Sequence, residues 1–103
     1  MDYFEQEARR KLKSLSSADK IYLKKNYIQE IMVKHQVSDE LIDLIFNPKK
    51  IIGIHQNIAY ADRIDILIQM EKNKRLKVII QLDPSVGNQK CFGKVGIITA
   101  FFT

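Results

Sequence analysis

Apolar and polar positions divide the chain in two. Residues 2–47 carry apolar side chains at helical spacing, and residues 50–103 carry them in alternation. A first helix is predicted from Asp2 to about Leu15. Acids (Asp2, Glu5, Glu7) stand in its first turns and bases (Arg9, Arg10, Lys11, Lys13) near its end, the polarity that the helix dipole favours. Its apolar stripe is narrow: Tyr3, Phe4, Ala8, Leu12 and Leu15. Ser16 or Ser17 caps a second helix predicted to reach His35, and Ser16 followed by Asp19 resembles a capping box. At about 100° per residue, Ile21, Ile28, Met32 and His35 fall within one sector about 60° wide, which marks the buried stripe. A short third helix starts at Ser38, with Leu41, Ile42, Ile45 and Phe46 on its apolar side, and Asn47-Pro48 stops it.

Strands follow. Ile51 to Ile54 is a short apolar run containing Gly53. From Arg63 to Glu71, Ile64, Ile66, Ile68 and Met70 alternate with mostly polar residues. From Leu76 to Asp83, Leu76, Val78, Ile80 and Leu82 do the same. The polar turn Lys72-Asn73-Lys74-Arg75 between these runs predicts a β-hairpin. Asp83 to Gly93 is dense in turn formers and reads as a loop. Lys94 to Phe102 is a last strand, apolar on both faces and therefore expected at the centre of the sheet. Helices followed by strands without alternation give an α+β fold. The expected architecture is N-terminal helices packed on one face of a four-stranded antiparallel sheet, formed by residues 1–103 as a single domain.

Composition narrows the function. A chain of 103 residues holds one core, which excludes a multidomain enzyme with a separate cofactor domain. Lys and Arg number 17 against 12 Asp and Glu, a net charge of +5 that permits an anionic partner such as RNA. Cys91 is alone, and with two histidines there is no CxxC or HxxxH cluster, so neither a metal nor another cofactor is expected. The chain also lacks a P-loop, a GxGxxG turn and an HExxH helix. Its acidic start, Met1-Asp2-Tyr3-Phe4-Glu5, has no apolar run behind it, and the longest apolar run, Val95 to Phe102, is too short to cross a bilayer. The expectation is a chain without a signal peptide and without membrane contact, in the reducing cytoplasm.

The polar face of the hairpin collects Arg63, Asp65, Gln69, Glu71, Lys77, Gln81 and Asp83. It reads either as a solvated sheet face or as an anion-binding surface on which Arg63 grips a phosphate bidentately and Lys77 adds a point charge. Asp65 and Glu71 oppose the second reading unless they pair with those bases. His35 is either a hydrogen-bonded core histidine or a general acid or base, with Lys34 beside it favouring the neutral ring. Thr99 is either a strand threonine or a hydroxyl donor to phosphate. Tyr60 either packs or acts on phosphate together with Arg63. His55 reads as exposed and inert. Cys91 beside Lys90 reads either as a thiol of lowered pKa or, with no partner identified in the sequence, as an inert one.

The order of these pieces resembles a known group. Lys34-His35 closes a helix, Asn47-Pro48 closes a shorter one, a hairpin follows, and the last strand reads Ile98-Thr99-Ala100-Phe101. This resembles the small barnase–EndoU–colicin–RelE-like ribonuclease domains of toxins, over residues 20–102. The resemblance implies metal-independent cleavage of RNA by attack of the 2′-hydroxyl on the adjacent phosphorus. His35 would be the acid or base and Thr99 a phosphate-orienting hydroxyl. Arg63, placed by the strand reading, would be the cation that stabilises the transition state. Lys34, Lys77 and Lys94 would bind the RNA. Phe101 stands where the group often has tyrosine. The partners implied are RNA and a cognate antitoxin or immunity protein. The alternative is a non-catalytic RNA- or protein-binding module of the same fold. Were the last strand an edge, a homodimer by strand addition would also follow.

Overall fold

The computed structural model describes residues 2–103. Helix α1 (Tyr3–Lys13) starts at Asp2, whose carboxylate accepts the Glu5 N–H at 2.7 Å, and it ends with Arg10, Lys11 and Lys13 in its last turn. Ala8 and Leu12 are its buried side. Its charged flank lies along a sheet edge, where Glu5 accepts the N–H of Ile54 at 3.2 Å and Arg9 donates to the carbonyl of Ile51 at 3.2 Å. Those two backbone groups belong to the outermost strand, so a Glu–Arg pair takes the place of a neighbouring strand.

The second helix differs from expectation. Ser16 does donate its N–H to Asp19 at 2.9 Å, but this box closes a single 3-10 turn, Ser17–Asp19. The chain then extends as strand β1 (Lys20–Tyr22), and α2 begins only at Lys25 and ends at His35. Ile21 therefore belongs to a strand and not to the helical stripe. Helix α3 (Asp39–Ile42) is capped by Ser38, which accepts the Leu41 N–H at 3.2 Å, and continues as a 3-10 turn, Asp43–Phe46.

The sheet also corrects the expected fold. Strands β2 (Ile51–Gln56), β3 (Ile64–Gln69), β4 (Arg75–Leu82) and β7 (Val95–Phe102) are antiparallel neighbours, and β1 adds to β7 in parallel. The order is β1-β7-β4-β3-β2, a five-stranded mixed sheet rather than the four-stranded antiparallel sheet of a RelE- or barnase-like domain. A separate two-stranded sheet, β5 (Ser85–Val86) with β6 (Gln89–Lys90), forms inside the segment that reads as a loop. Its connection places Gly87 at a φ of +64°, open to glycine at little cost. Strand β7 lies between β4 and β1, and β1 pairs with it only over Val95 to Ile97.

One apolar cluster joins Ala8, Leu12, Ile28, Val37, Ile42 and Ile45 of the helical layer to the inner sheet face, which presents Ile54, Ile66, Ile68, Leu76, Val78, Ile80, Val95, Ile97 and Ala100. Each fully buried branched side chain here contributes about 1.5–3 kcal/mol. The other face, called the open face below, carries the alternate residues. Register shifts once between β4 and β7: Ile79 pairs with Thr99 but Ile80 pairs with Ile97. Ile98 is the extra residue of a β-bulge, and it is turned out of the interior cluster while staying 6% exposed.

The helical layer is also tied to β1 by charge. The Lys20 ammonium, its side chain 5% exposed, meets Asp39 at 2.8 Å and also contacts Asp43. Burial works to lower the Lys20 pKa, but the hydrogen bonds to the two carboxylates outweigh it and raise the pKa above its ordinary value. A raised lysine pKa stabilises the fold fully below the unfolded value of about 10.4, and that contribution disappears as pH climbs through the folded value. In urea unfolding at a series of alkaline pH values, the wild type should therefore lose stability relative to Lys20→Met as pH rises past about 10.4. Tyr22 supplies a second test. Its hydroxyl is buried without a hydrogen-bond partner, so Tyr22→Phe should raise the unfolding free energy by about 1 kcal/mol.

Candidate anion-binding site on the open sheet face

The open face is built by register. His55, Asp65, Ile79 and Thr99 form one row across β2, β3, β4 and β7; Leu67, Lys77 and Phe101 form the next. Asp65 is 8% exposed and accepts a hydrogen bond from the Asn57 amide at 2.8 Å and an ion pair from Lys77 at 3.4 Å. The Lys77 charge is thus matched by the carboxylate beside it. Lys94 faces Asp19 at 3.7 Å. Both lysines expected to bind RNA from the sheet are already opposed by acids. Lys34 lies on the outer side of α2, along a shallow groove shared with Tyr27, Glu30 and Val33.

Arg63 is held differently. The loop before β3 is folded by Asn57, whose side-chain oxygen accepts the N–H groups of Ala59 and Tyr60 at 3.0 and 2.9 Å. The backbone closes on itself through Asn57 N–H to Arg63 carbonyl at 3.0 Å and Arg63 N–H to Tyr60 carbonyl at 3.1 Å. This brings the Arg63 guanidinium over the Tyr60 ring, 3.8 Å from its centroid. The Arg63 Nε is buried with no hydrogen-bond partner.

Arg63 opens onto a cavity of about 340 Å³ at one end of the open face. Leu23 and Lys24 enter it from the junction of β1 and α2, Gln81 from β4, and Ile98 from the bulge. The β5–β6 hairpin closes it with Ser85, Val86 and Gly87. Leu23 reaches this place only because residue 96 is glycine. A Cβ there would lie 2.5 Å from Leu23 Cδ1 and 3.1 Å from Pro84 Cβ. Lys24 has φ 51° and ψ 56°, the left-handed region that side chains with a Cβ rarely adopt. The lining contains two cations, Lys24 and Arg63, and no carboxylate. Neither cation has an ion-pair partner among the described residues.

The residues expected to converge are not brought together in this cavity. Arg63 lines the cavity, whereas Thr99, one residue beyond the bulge on the open face, does not. His35 is exposed at the C-terminal end of α2, takes no hydrogen-bond or ion-pair partner among the described residues, and does not line the cavity. The lining holds no histidine, cysteine or carboxylate. Chemically the cavity is suited to holding an anion. Among the described residues no group of three His, Cys, Asp or Glu side chains is placed to hold a metal ion, and no helix is long and apolar enough to cross a membrane. Lys24 is not legible as a site residue in the sequence because the segment around it reads as mid-helix. The strand-like run Ile21-Tyr22-Leu23 ahead of it is the signal that could expose it.

No family model, curated protein or solved structure matches this chain. The resemblance to toxin ribonucleases thus gains nothing from comparison, and the fold and site define the chain: a small α+β domain with a cationic cavity on its uncovered sheet face.

Lys24 separates strain from function. Glycine accepts the left-handed conformation, so Lys24→Gly should raise the unfolding free energy by about 0.5 kcal/mol, net of the larger unfolded-state entropy of glycine. Chemical denaturation checks this directly.

Proposed function

We propose that the chain is a non-catalytic binding module that holds a phosphate of an RNA chain with Arg63 and Lys24. The observation that carries this reading is the state of the Arg63 guanidinium. It is stacked on Tyr60, its Nε is withdrawn from water without a partner, and it faces a cavity whose lining holds no carboxylate, Asp62 being engaged beside it by the Gln81 amide at 2.6 Å. A guanidinium already fixed by stacking loses little rotamer freedom when it closes on a phosphate, and its planar fork suits bidentate contact. Lys24 adds a point charge from another wall of the cavity. The net charge of +5 supports attraction of a polyanion over longer range.

The ribonuclease alternative asks for more than this cavity contains. Attack by a 2′-hydroxyl needs a group to take its proton and another to protonate the leaving oxygen. The lining holds no histidine or carboxylate for either step, and His35 stands outside the cavity. Binding without cleavage is therefore the reading the geometry favours.

Fluorescence anisotropy with a labelled single-stranded RNA decamer, followed over a range of salt, tests it. Affinity should fall with salt, and Arg63→Ala should weaken binding and make the log–log salt slope shallower by about 0.7, the contribution of one phosphate contact on a single strand. The RNA should remain intact on a denaturing gel. Absence of binding at low salt, or binding by Arg63→Ala and Lys24→Ala equal to that of the wild type, would overturn the proposal. Shortened RNA that persists with His35→Ala and Arg63→Ala proteins would indicate a contaminant, whereas loss of cleavage in either variant would restore the nuclease reading.

A further inference from the structure

Resting on the phosphate-binding reading, we infer that Tyr60 is a stacking platform for a nucleobase, which makes the site selective for single-stranded RNA over duplex. Arg63 covers one face of the Tyr60 ring at 3.8 Å, yet Tyr60 remains 52% exposed. A ring with a cation on one side and water on the other is completed by a flat, polarisable group, and a nucleobase is the group attached to the phosphate that Arg63 would hold. The platform is rigid before any ligand arrives, because Asn57 fixes the loop through two backbone N–H groups and Arg63 bonds back to the Tyr60 carbonyl. Ile58, in the same loop, is wholly exposed.

The arrangement distinguishes strands by geometry. In a duplex each base is already stacked on both faces and paired on its edge, so its phosphates are available to Arg63 but its bases are not available to Tyr60. A single strand can turn one base out onto the ring while the neighbouring phosphate enters the cavity. Stacking of this kind tolerates any base, because each has a flat face. The site should therefore show little sequence preference and a clear strand preference.

The chain has no tryptophan, so Tyr60→Trp places a single reporter at the platform. Two single-stranded decamers of equal charge serve as ligands, one bearing bases and one with the same ribose-phosphate backbone without them, together with a duplex of the same sequence. The base-bearing strand should bind about tenfold more tightly than the abasic one. It should quench the indole emission of the Tyr60→Trp protein, while the abasic strand and the duplex should not. Tyr60→Leu, which keeps an apolar surface under the guanidinium, should bring the affinity ratio of base-bearing to abasic strand close to one. Equal binding of these two strands by the wild type, both still dependent on Arg63, would overturn the stacking inference and leave the phosphate reading standing. A base preference that survives Tyr60→Leu would also overturn it, as would equal quenching by duplex and single strand. Failure of every ligand to bind would remove both readings together.

Discussion

One extra residue in β7 governs how the two halves of this molecule meet. Strand β7 is paired with β4 along its length and with β1 over Val95–Ile97, and it is buried along most of its length, so a strict alternation could not serve it from end to end. The bulge at Ile98 resolves the conflict: Val95 and Ile97 enter the interior before it, Ala100 and Phe102 approach the interior after it, and Ile98 itself turns to the opposite side. The inner pattern thus stays continuous along a strand that changes register. A consequence is that the open face acquires a buried apolar floor at the end where Arg63 enters, which is why a cavity rather than a flat polar surface lies there.

The distribution of charge follows a similar logic. Lys20 is matched by Asp39 and Asp43, Lys77 by Asp65, Lys94 by Asp19, and Arg9 by Glu5. These pairs lie between elements or along a helix and serve the fold. Once they are set aside, Lys24 and Arg63 are distinguished by lining one cavity with no acid in it. Lys24 holds that place in a backbone conformation unfavourable to it, where the adjoining turn would accept a glycine more easily.

The β3–β4 hairpin is legible in the sequence because period-two alternation on both sides of a polar turn is a local signal, and the observed strands match it within one or two residues. Strand β1 is not. Three residues cannot sustain a strand by propensity, and their pairing with Val95–Ile97 comes from the far end of the chain. Ile21 also fits the helical period continued by Ile28 and Met32, so the local pattern favours the wrong element. A mixed five-stranded sheet therefore reads, from sequence, as a four-stranded antiparallel one. At the site, Arg63 follows from alternation, since it precedes β3 on the polar side. The position of His35 does not, because periodicity gives the side of a helix a residue occupies and not what stands opposite that side.

Helix α1 has an effect beyond its share of the core. By engaging the outward amide of Ile54 and the outward carbonyl of Ile51 with Glu5 and Arg9, it occupies the hydrogen-bonding valences that an incoming chain would need. At the opposite border β1 is only three residues long. Fibril seeding, strand exchange between copies and capture of extended peptides all require an unoccupied ladder, and at the β2 border two of the outward groups are already taken. The two borders differ in kind: a charged helix serves one, while at the other β1 accompanies β7 only as far as Ile97 and leaves the strand's second half without a strand on that side.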